Sequence, residues 1–312
     1  MHDTPLTVAD LARKMQMPDR PAAGWRRVLR NATGGVVDLG ESAEQRHTRE
    51  LIDRVRTPLD SDRRIAVLSV KGGVGKTSTT IALGSTFATH RGDRVVAVDA
   101  NPDLGTLADR VPDRNPATVR DLLRAPSTER YTEVRACTSQ APSRLEVVGS
   151  ERDPQVSEAF SANDYSRALD ILRRHYTVIF TDCGTGLVGS AMGAILSTTD
   201  CLVLVATPAL DGASSAWATL DWLSAHGYSE LVSSTVVVVN RLTEYGSDDD
   251  SLTDLFSRRC RAVQVIPFDP HIARGADLDI EQLKPATRRA YLELAALLAD
   301  DFVRPSGRHA VL

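Results

Sequence analysis

The chain has 312 residues, 42% apolar and 25% charged, the balance of a globular protein with enough apolar residues for a substantial core; that length corresponds to one large domain or two small ones. With 41 acidic and 37 basic residues the net charge is -4, so contact with nucleic acid or acidic lipid has to come from a local patch, not the overall field. The four cysteines, Cys137, Cys183, Cys201 and Cys260, lie far apart without a CxxC pair. They read as buried thiols of a reduced, cytosolic protein and weigh against an iron–sulfur carrier.

The start, MHDTPLTVADLARKM, has no apolar run behind a basic stretch and is not a signal peptide. The longest apolar runs, such as 201–206 and 236–239, are strand-length and far short of the ~20 residues that cross a bilayer. A cytoplasmic protein is expected.

Residues 1–62 read as a helical extension. Two helical patterns, over 8–15 and 43–56, flank a joint at Thr33-Gly34-Gly35. The first part is basic (Arg13, Lys14, Arg20, Arg26, Arg27, Arg30) and carries Trp25. The later helix mixes charge signs, as a solvated face does.

From residue 63 to 304 short apolar runs alternate with helical stretches, leaving a tail at 305–312. The runs are 65–70, 94–98, 145–148, 177–181, 201–206, 235–240 and 262–266. Most are β-branched and apolar on both faces, which suits a parallel sheet covered by helices on both sides. The expected fold is α/β, doubly wound, with a mostly parallel sheet. A last helix is expected over 285–303 with its apolar stripe on the sheet. A membrane-anchoring helix would carry Lys or Arg on its polar face, where this one ends in Asp300 and Asp301. Residues 247–250 (SDDD) read as a polar loop.

The first strand runs into Lys71-Gly72-Gly73-Val74-Gly75-Lys76-Thr77-Ser78, followed by a helix-forming stretch. A glycine-rich turn between strand and helix lets backbone N–H groups wrap a phosphate, and the helix N-terminus adds its partial positive charge. In this pattern Lys76 reaches the terminal phosphates and the Thr77 hydroxyl holds Mg²⁺. The bland alternative is a tight strand-to-helix turn with no ligand. The second strand ends in Val98-Asp99-Ala100-Asn101-Pro102-Asp103-Leu104-Gly105, and the carboxyl edge of such a sheet is where ligand groups belong. The strand over 177–181 ends at Asp182 in TDCGTGL, which fits a carboxylate contacting Mg²⁺ through water before a movable loop at Gly184 and Gly186. Thr77, Asp99 and Asp182 are the expected metal set; Cys183 reads as a small packing residue.

The lysine at position 71 sets this loop apart from a general GxxxxGKS/T. KGGVGKTS resembles the deviant Walker A motif of the ParA/MinD superfamily of ATPases. That resemblance implies ATP and Mg²⁺ as ligands and a lysine, Lys71, that crosses a dimer interface to the partner's nucleotide, hence an ATP-dependent homodimer. The alternative is a surface lysine beside the loop. In the superfamily a second switch aspartate orients the attacking water; here Asn101 stands in its place. An amide cannot take up a proton, though it can hold a water. Because positioning is a large part of phosphoryl transfer, slow ATP hydrolysis is expected. Asp103 substitutes if the loop bends inward, and otherwise is a turn residue. By the same resemblance Asn240 reads the adenine edge and Pro267, in Ile266-Pro267-Phe268-Asp269, lies along the ring; the alternatives are a strand-ending asparagine and a turn proline.

The resemblance covers roughly 64–303. A closer one rests on Gly24-Trp25-Arg26-Arg27, the run SVKGGVGKTSTTIALGSTFATHRGDRVVAVDANPD, TDCGTGL, DGASSAWATLDWLSAHGY and PFDPHIARGADLDIEQL. These are similar to actinobacterial ParA/MinD-like proteins associated with type VII (ESX) secretion, which implies an accessory or regulator with a protein partner in the secretion machinery. Some of those relatives carry long proline-rich N-terminal regions; none is read in these 312 residues. Two other readings keep the fold. One is a DNA-partitioning protein using the basic N-terminal stretch or Arg258, Arg259 and Arg261, whose bland reading is a solvated helix face. The other is an ATP-loaded scaffold in which Asn101 has removed turnover.

Overall fold

The computed structural model describes residues 42–101, 105–150, 160–187, 189–244 and 249–303. The expectations placed on residues 8–15, Trp25, the joint at 33–35, Asp103 and the tail lie outside these. The chain divides into two compact units, Met1–Leu51 and Ile52–Leu312. Of the first, the described part is the beginning of helix α1 (Ala43–Val55). A reciprocal capping box starts it: Ser42 N donates to Gln45 Oε1 at 3.0 Å and Gln45 N to Ser42 Oγ at 3.1 Å, satisfying two donors the first turn would leave orphaned.

The second unit is built on an eight-stranded sheet. Its strands are β1 (Arg63–Leu68), β2 (Val95–Ala100), β3 (Ser139–Gln140), β4 (Glu146–Val148), β5 (Val178–Cys183), β6 (Cys201–Ala206), β7 (Val236–Asn240) and β8 (Ala262–Ile266), in the order β3-β4-β2-β5-β1-β6-β7-β8. Every pairing is parallel except β3 with β4. The two-residue β3 left no run for periodicity to detect. The longer helices are α2 (Lys76–His90), α3 (Ala162–Leu172), α4 (Ser190–Thr198), α5 (Leu210–Ala225), α6 (Asp249–Ser257) and α7 (Pro285–Ala299). Asp249 and Asp250, expected in a loop, begin α6.

Strands β1, β2, β5 and β6 are buried along nearly their whole length, as their apolar runs require. Helix α2 is buried almost all round, with Ile81, Leu83 and Phe87 at 0% exposure. It packs on β1, β2 and β5 with α7 alongside, so it has no polar face to present. Phe87 meets Phe180 and Phe302, both at 5.7 Å between ring centroids.

Helix α7 buries Tyr291, Leu294, Leu298 and their neighbours, as expected of a stripe on the sheet. It stops at Ala299, and Asp300–Val303 form a 3-10 turn. That turn is gripped by arginines: Arg54 chelates Asp300 at 2.6 and 2.9 Å, and Arg261 pairs with Asp301. Among the described residues no helix is long and apolar enough to cross a membrane.

The connection from β1 leads leftward to β2, and that from β5 leads rightward across β1 to β6. The crevice outside the carboxyl ends of these strands is a topological switch point, the place where such sheets bind ligands. The loop 71–75 sits there.

Candidate nucleotide site

The loop 71–75 turns from β1 into α2 through two glycines in the left-handed region, Gly73 at φ 77° and Gly75 at φ 90°. Gly75 is required on a second ground. A Cβ there would stand 2.7 Å from Asn240 Nδ2, so only glycine lets the asparagine close over the loop. Gly72 and Gly73 are exposed and Val74 is buried. Thr79 N donates to Gly75 O at 2.8 Å, the first turn of α2.

Lys76 and Thr77 converge on one carboxylate. Lys76 Nζ donates to Asp182 Oδ1 at 2.9 Å, Thr77 Oγ1 to Asp182 Oδ2 at 2.7 Å, and Thr80 Oγ1 to Asp182 Oδ1 at 2.9 Å. Lys76 is 7% and Asp182 1% exposed. Thr80, three residues after Thr77, was not foreseen as a site residue. Its signal is present in the run KTSTT, because residues i and i+3 of a helix share a face. Ser78 is buried within α2.

Asp99 lies beside Asp182, to which it is paired in register across β2 and β5. Both carboxylates stand inside the last turns of their strands rather than in the loops that follow. Asp99 accepts from Asn101 N at 3.1 Å and Leu107 N at 3.0 Å, so it anchors the two ends of the loop between them. Burial, and then the neighbouring Asp182 charge, push the Asp99 carboxyl up to about 7. Gly105 belongs to the same contact, since a Cβ there would lie 2.1 Å from Asp99 Oδ2. Asn101 follows β2 directly and is half-buried.

Asn240, the last residue of β7, donates through Nδ2 to Val74 O at 2.9 Å and Thr79 Oγ1 at 3.1 Å. Its Oδ1 is buried without a protein partner, and an orphaned buried acceptor is costly unless a ligand satisfies it. Asn240 lines a cavity of ≈ 60 Å³ with Gly75, Pro267, Phe268, Asp269, Ile272 and Tyr291. That volume holds about two waters, so a nucleotide base would rest at its mouth rather than inside. Pro267 is thus brought beside Asn240.

Lys71, half-buried at the start of the loop, pairs with Asp211 in the first turn of α5. Asp211 was not singled out from sequence, because 140 residues separate the two and no motif links them.

The arginines considered for DNA do not form a solvated helix face. Helix α6 ends at Ser257, ahead of all three. Arg259 pairs with Asp221 and lies over the Trp217 ring at 4.9 Å, and Arg261 is bound to Asp301 and Leu297 O. Arg258 is exposed. Two of the three charges are therefore engaged within the chain. The thiols of Cys183 and Cys201 are buried and pushed up to about 12 by that burial, so Cys183 is a packing residue. All four cysteines are free.

The donor set fits a hard cation shared with phosphate. The oxygens of Thr77 and Asp182 adjoin, while no group of three or more His, Cys, Asp or Glu gathers as a cage among the described residues. Mg²⁺ is held in that way, through one or two protein oxygens, waters and substrate phosphates.

The sequence profile of the CobQ/CobB/MinD/ParA nucleotide binding domain matches residues 65–281. Over 290 residues the chain is 38% identical to the ESX-1 secretion-associated protein EspI of Mycobacterium tuberculosis (strain CDC 1551 / Oshkosh), covering 91% of this chain and 43% of that protein. The chain thus spans less than half the length of this relative. Among solved structures, the ParA family ATPase from Chlorobium tepidum TLS superposes with a TM-score of 0.64 at 17% identity, over 75% of this chain and 99% of that one. The septum site-determining protein MinD complexed with Mg-ADP from Pyrococcus horikoshii OT3 gives 0.59 at 21% identity, over 80% and 100%. At these identities the structures speak for the fold alone.

Proposed function

The chain belongs to the CobQ/CobB/MinD/ParA nucleotide binding domain family, and on that premise we propose that it is a Mg-ATP-dependent ATPase acting as a nucleotide switch. The observation that carries the reading is the convergence of Lys76, Thr77 and Thr80 on Asp182 at the carboxyl edge of the sheet. On this reading the phosphates occupy the loop 71–75, Lys76 turns from Asp182 to the terminal phosphates, and Thr77, with Asp182 through water, holds Mg²⁺. Asp99 lies beside Asp182 and anchors the loop that carries Asn101 and Asp103. The cation, when bound, neutralises charge on the terminal phosphates.

Asn240 Oδ1 supplies an acceptor where adenine presents its exocyclic amine and guanine a carbonyl oxygen, so ATP is favoured over GTP. ATP closes two copies around the nucleotide with Lys71 reaching across, and hydrolysis, slowed by Asn101, reopens them. Ordering of loops by the terminal phosphate links nucleotide state to partner binding. The identity with EspI supports a role in or near ESX secretion; a cytoplasmic location and a partner in that machinery are part of the same proposal. DNA partitioning is not favoured, because the net charge is -4 and, of the three arginines considered, Arg259 and Arg261 are engaged within the chain.

The reading is tested by titrating a fluorescent ATP analogue into the full chain with and without Mg²⁺, and competing it with GTP. Mg²⁺-dependent binding that ATP displaces better than GTP, and that Thr77→Ala weakens, is expected. Binding indifferent to Mg²⁺ and to Thr77→Ala would contradict it.

A further inference from the structure

A cavity of ≈ 580 Å³ opens where α2 ends and β2 begins, at the edge of the sheet opposite the loop 71–75. Arg56, Thr89, His90, Arg91, Asp93 and Arg144 line it, and no role in nucleotide binding draws on any of them. The volume falls within the range of small-molecule sites.

The lining is cationic. Arg91 is held by the fold through four hydrogen bonds: it pairs with Asp93 at 2.7 and 2.8 Å and donates to the Val55 and Thr57 carbonyls. Arg56 uses Nε on His90 O at 2.8 Å. Arg144 uses one terminal nitrogen on the Ala88 and Arg91 carbonyls, at 2.7 and 3.0 Å. Among the described residues neither Arg56 nor Arg144 has a carboxylate partner, and each keeps N–H donors that no acceptor there takes. Three guanidinia against one carboxylate leave a net charge of +2, which the carbonyl end of α2 offsets by only about half a charge. Burial, and then the Arg56 charge, hold His90 below its usual pKa.

Arg144 carries a second mark. It stands at φ 74°, the one non-glycine residue in the left-handed region among the described residues. It ends a tight turn in which Arg144 N donates to Ala141 O at 2.9 Å and Ala141 N to Leu145 O at 2.8 Å. Glycine would take that position without strain. Strain of this kind gathers at ligand sites, where a side chain must be held in place; here it holds a guanidinium over the end of α2.

We propose that this cavity is a second anion site, in which Arg56, Arg144 and the Thr89 hydroxyl hold the phosphate groups of a compact phosphorylated small molecule. Guanidinium forks match phosphate oxygens in pairs. The lining offers the His90 imidazole but no large apolar side chain, so an acyl chain has nothing to pack against.

The test is calorimetric titration of tripolyphosphate into the full chain, with the loop 71–75 already saturated by Mg-ADP. Wild type is expected to take up tripolyphosphate at the second site. Arg144→Gly, which relieves the strained φ, and Arg56→Ala are each expected to weaken that uptake about tenfold or more. Mg-ADP affinity should be unchanged in both, which separates failure here from failure of the ATP site. No uptake by wild type, or uptake that both variants retain in full, would overturn the proposal. So would binding to phosphoinositide vesicles without binding of free tripolyphosphate, because that would assign the arginines to a membrane surface.

Discussion

Lys71 and Asp211 form an ion pair within one chain, so the lysine expected to reach a partner's nucleotide is held in cis when no partner is present. Closing a dimer would exchange this contact for a phosphate on the other copy. The pair is exposed, at 42% for Lys71 and 66% for Asp211, and such pairs are screened and weak. Asp211→Asn is therefore expected to lower the ATP concentration for half-maximal dimerisation by a modest factor, about two- to fivefold. The difference should fade in high salt. Light scattering across an ATP titration measures it, and an unchanged or raised midpoint would give Asp211 a different role.

The close approach of Gly75 to Asn240 predicts a binding defect from the smallest possible change. Gly75→Ala puts a Cβ 2.7 Å from Asn240 Nδ2 and forces a φ of 90° on alanine. Left-handed backbone alone costs about 1–2 kcal/mol for a residue with a Cβ, and Asn240 must also leave Val74 O. A fall in melting temperature together with loss of Mg-ATP binding is expected. Binding retained at wild-type affinity would show that Asn240 has no part in holding the loop.

The buried Asp99 makes the ligand-free protein sensitive to pH in a direction that can be worked out. Unfolded, this carboxyl titrates near 3.8; folded, it is pushed up to about 7. Between these values the native state keeps a proton that the unfolded chain has released. Stability therefore falls as pH rises from about 4 to about 7 and is level above, by on the order of a few kcal/mol from this group. Asp99→Asn should flatten the slope in chemical denaturation at a series of pH values. A slope unchanged by the substitution would contradict the assignment.

Away from the site, Glu146 is buried at 2% exposure beneath three hydroxyls: Tyr131 OH at 2.6 Å, Tyr176 OH at 2.7 Å and Thr138 Oγ1 at 2.8 Å. A buried carboxylate needs such donors. Tyr176→Phe removes one and is expected to cost about 1.5–3 kcal/mol without changing Mg-ATP affinity. Loss of affinity at unchanged stability would show that the network serves the nucleotide site after all.

The features that proved legible in the sequence are those governed by local periodicity and spacing. Seven apolar runs became seven strands within a residue or two, and the glycines, Lys76 and Thr77 lie where a strand-to-helix turn must place them. The family resemblance drawn from KGGVGKTS is borne out by the profile match over 65–281. What stayed hidden depends on contacts between distant segments. Asp211 reaches Lys71 only because the β6–α5 turn emerges next to the β1–α2 turn at one sheet edge. The anchoring of Asp99 by Leu107 N and the cover of Gly75 by Asn240 are likewise tertiary. Arg144 gave no signal, since its turn reads as Pro-Ser-Arg with no glycine to mark the left-handed position.

On the proposed function ATP closes two copies of this chain, with Lys71 reaching across. This is tested most directly by light-scattering mass with and without Mg-ATP, on wild type and Lys71→Ala, with phosphate release followed in parallel. A wild-type dimer only with Mg-ATP, slow phosphate release, and a Lys71→Ala variant that stays monomeric are expected of this closure. A wild-type chain that remains monomeric under every nucleotide condition would contradict it.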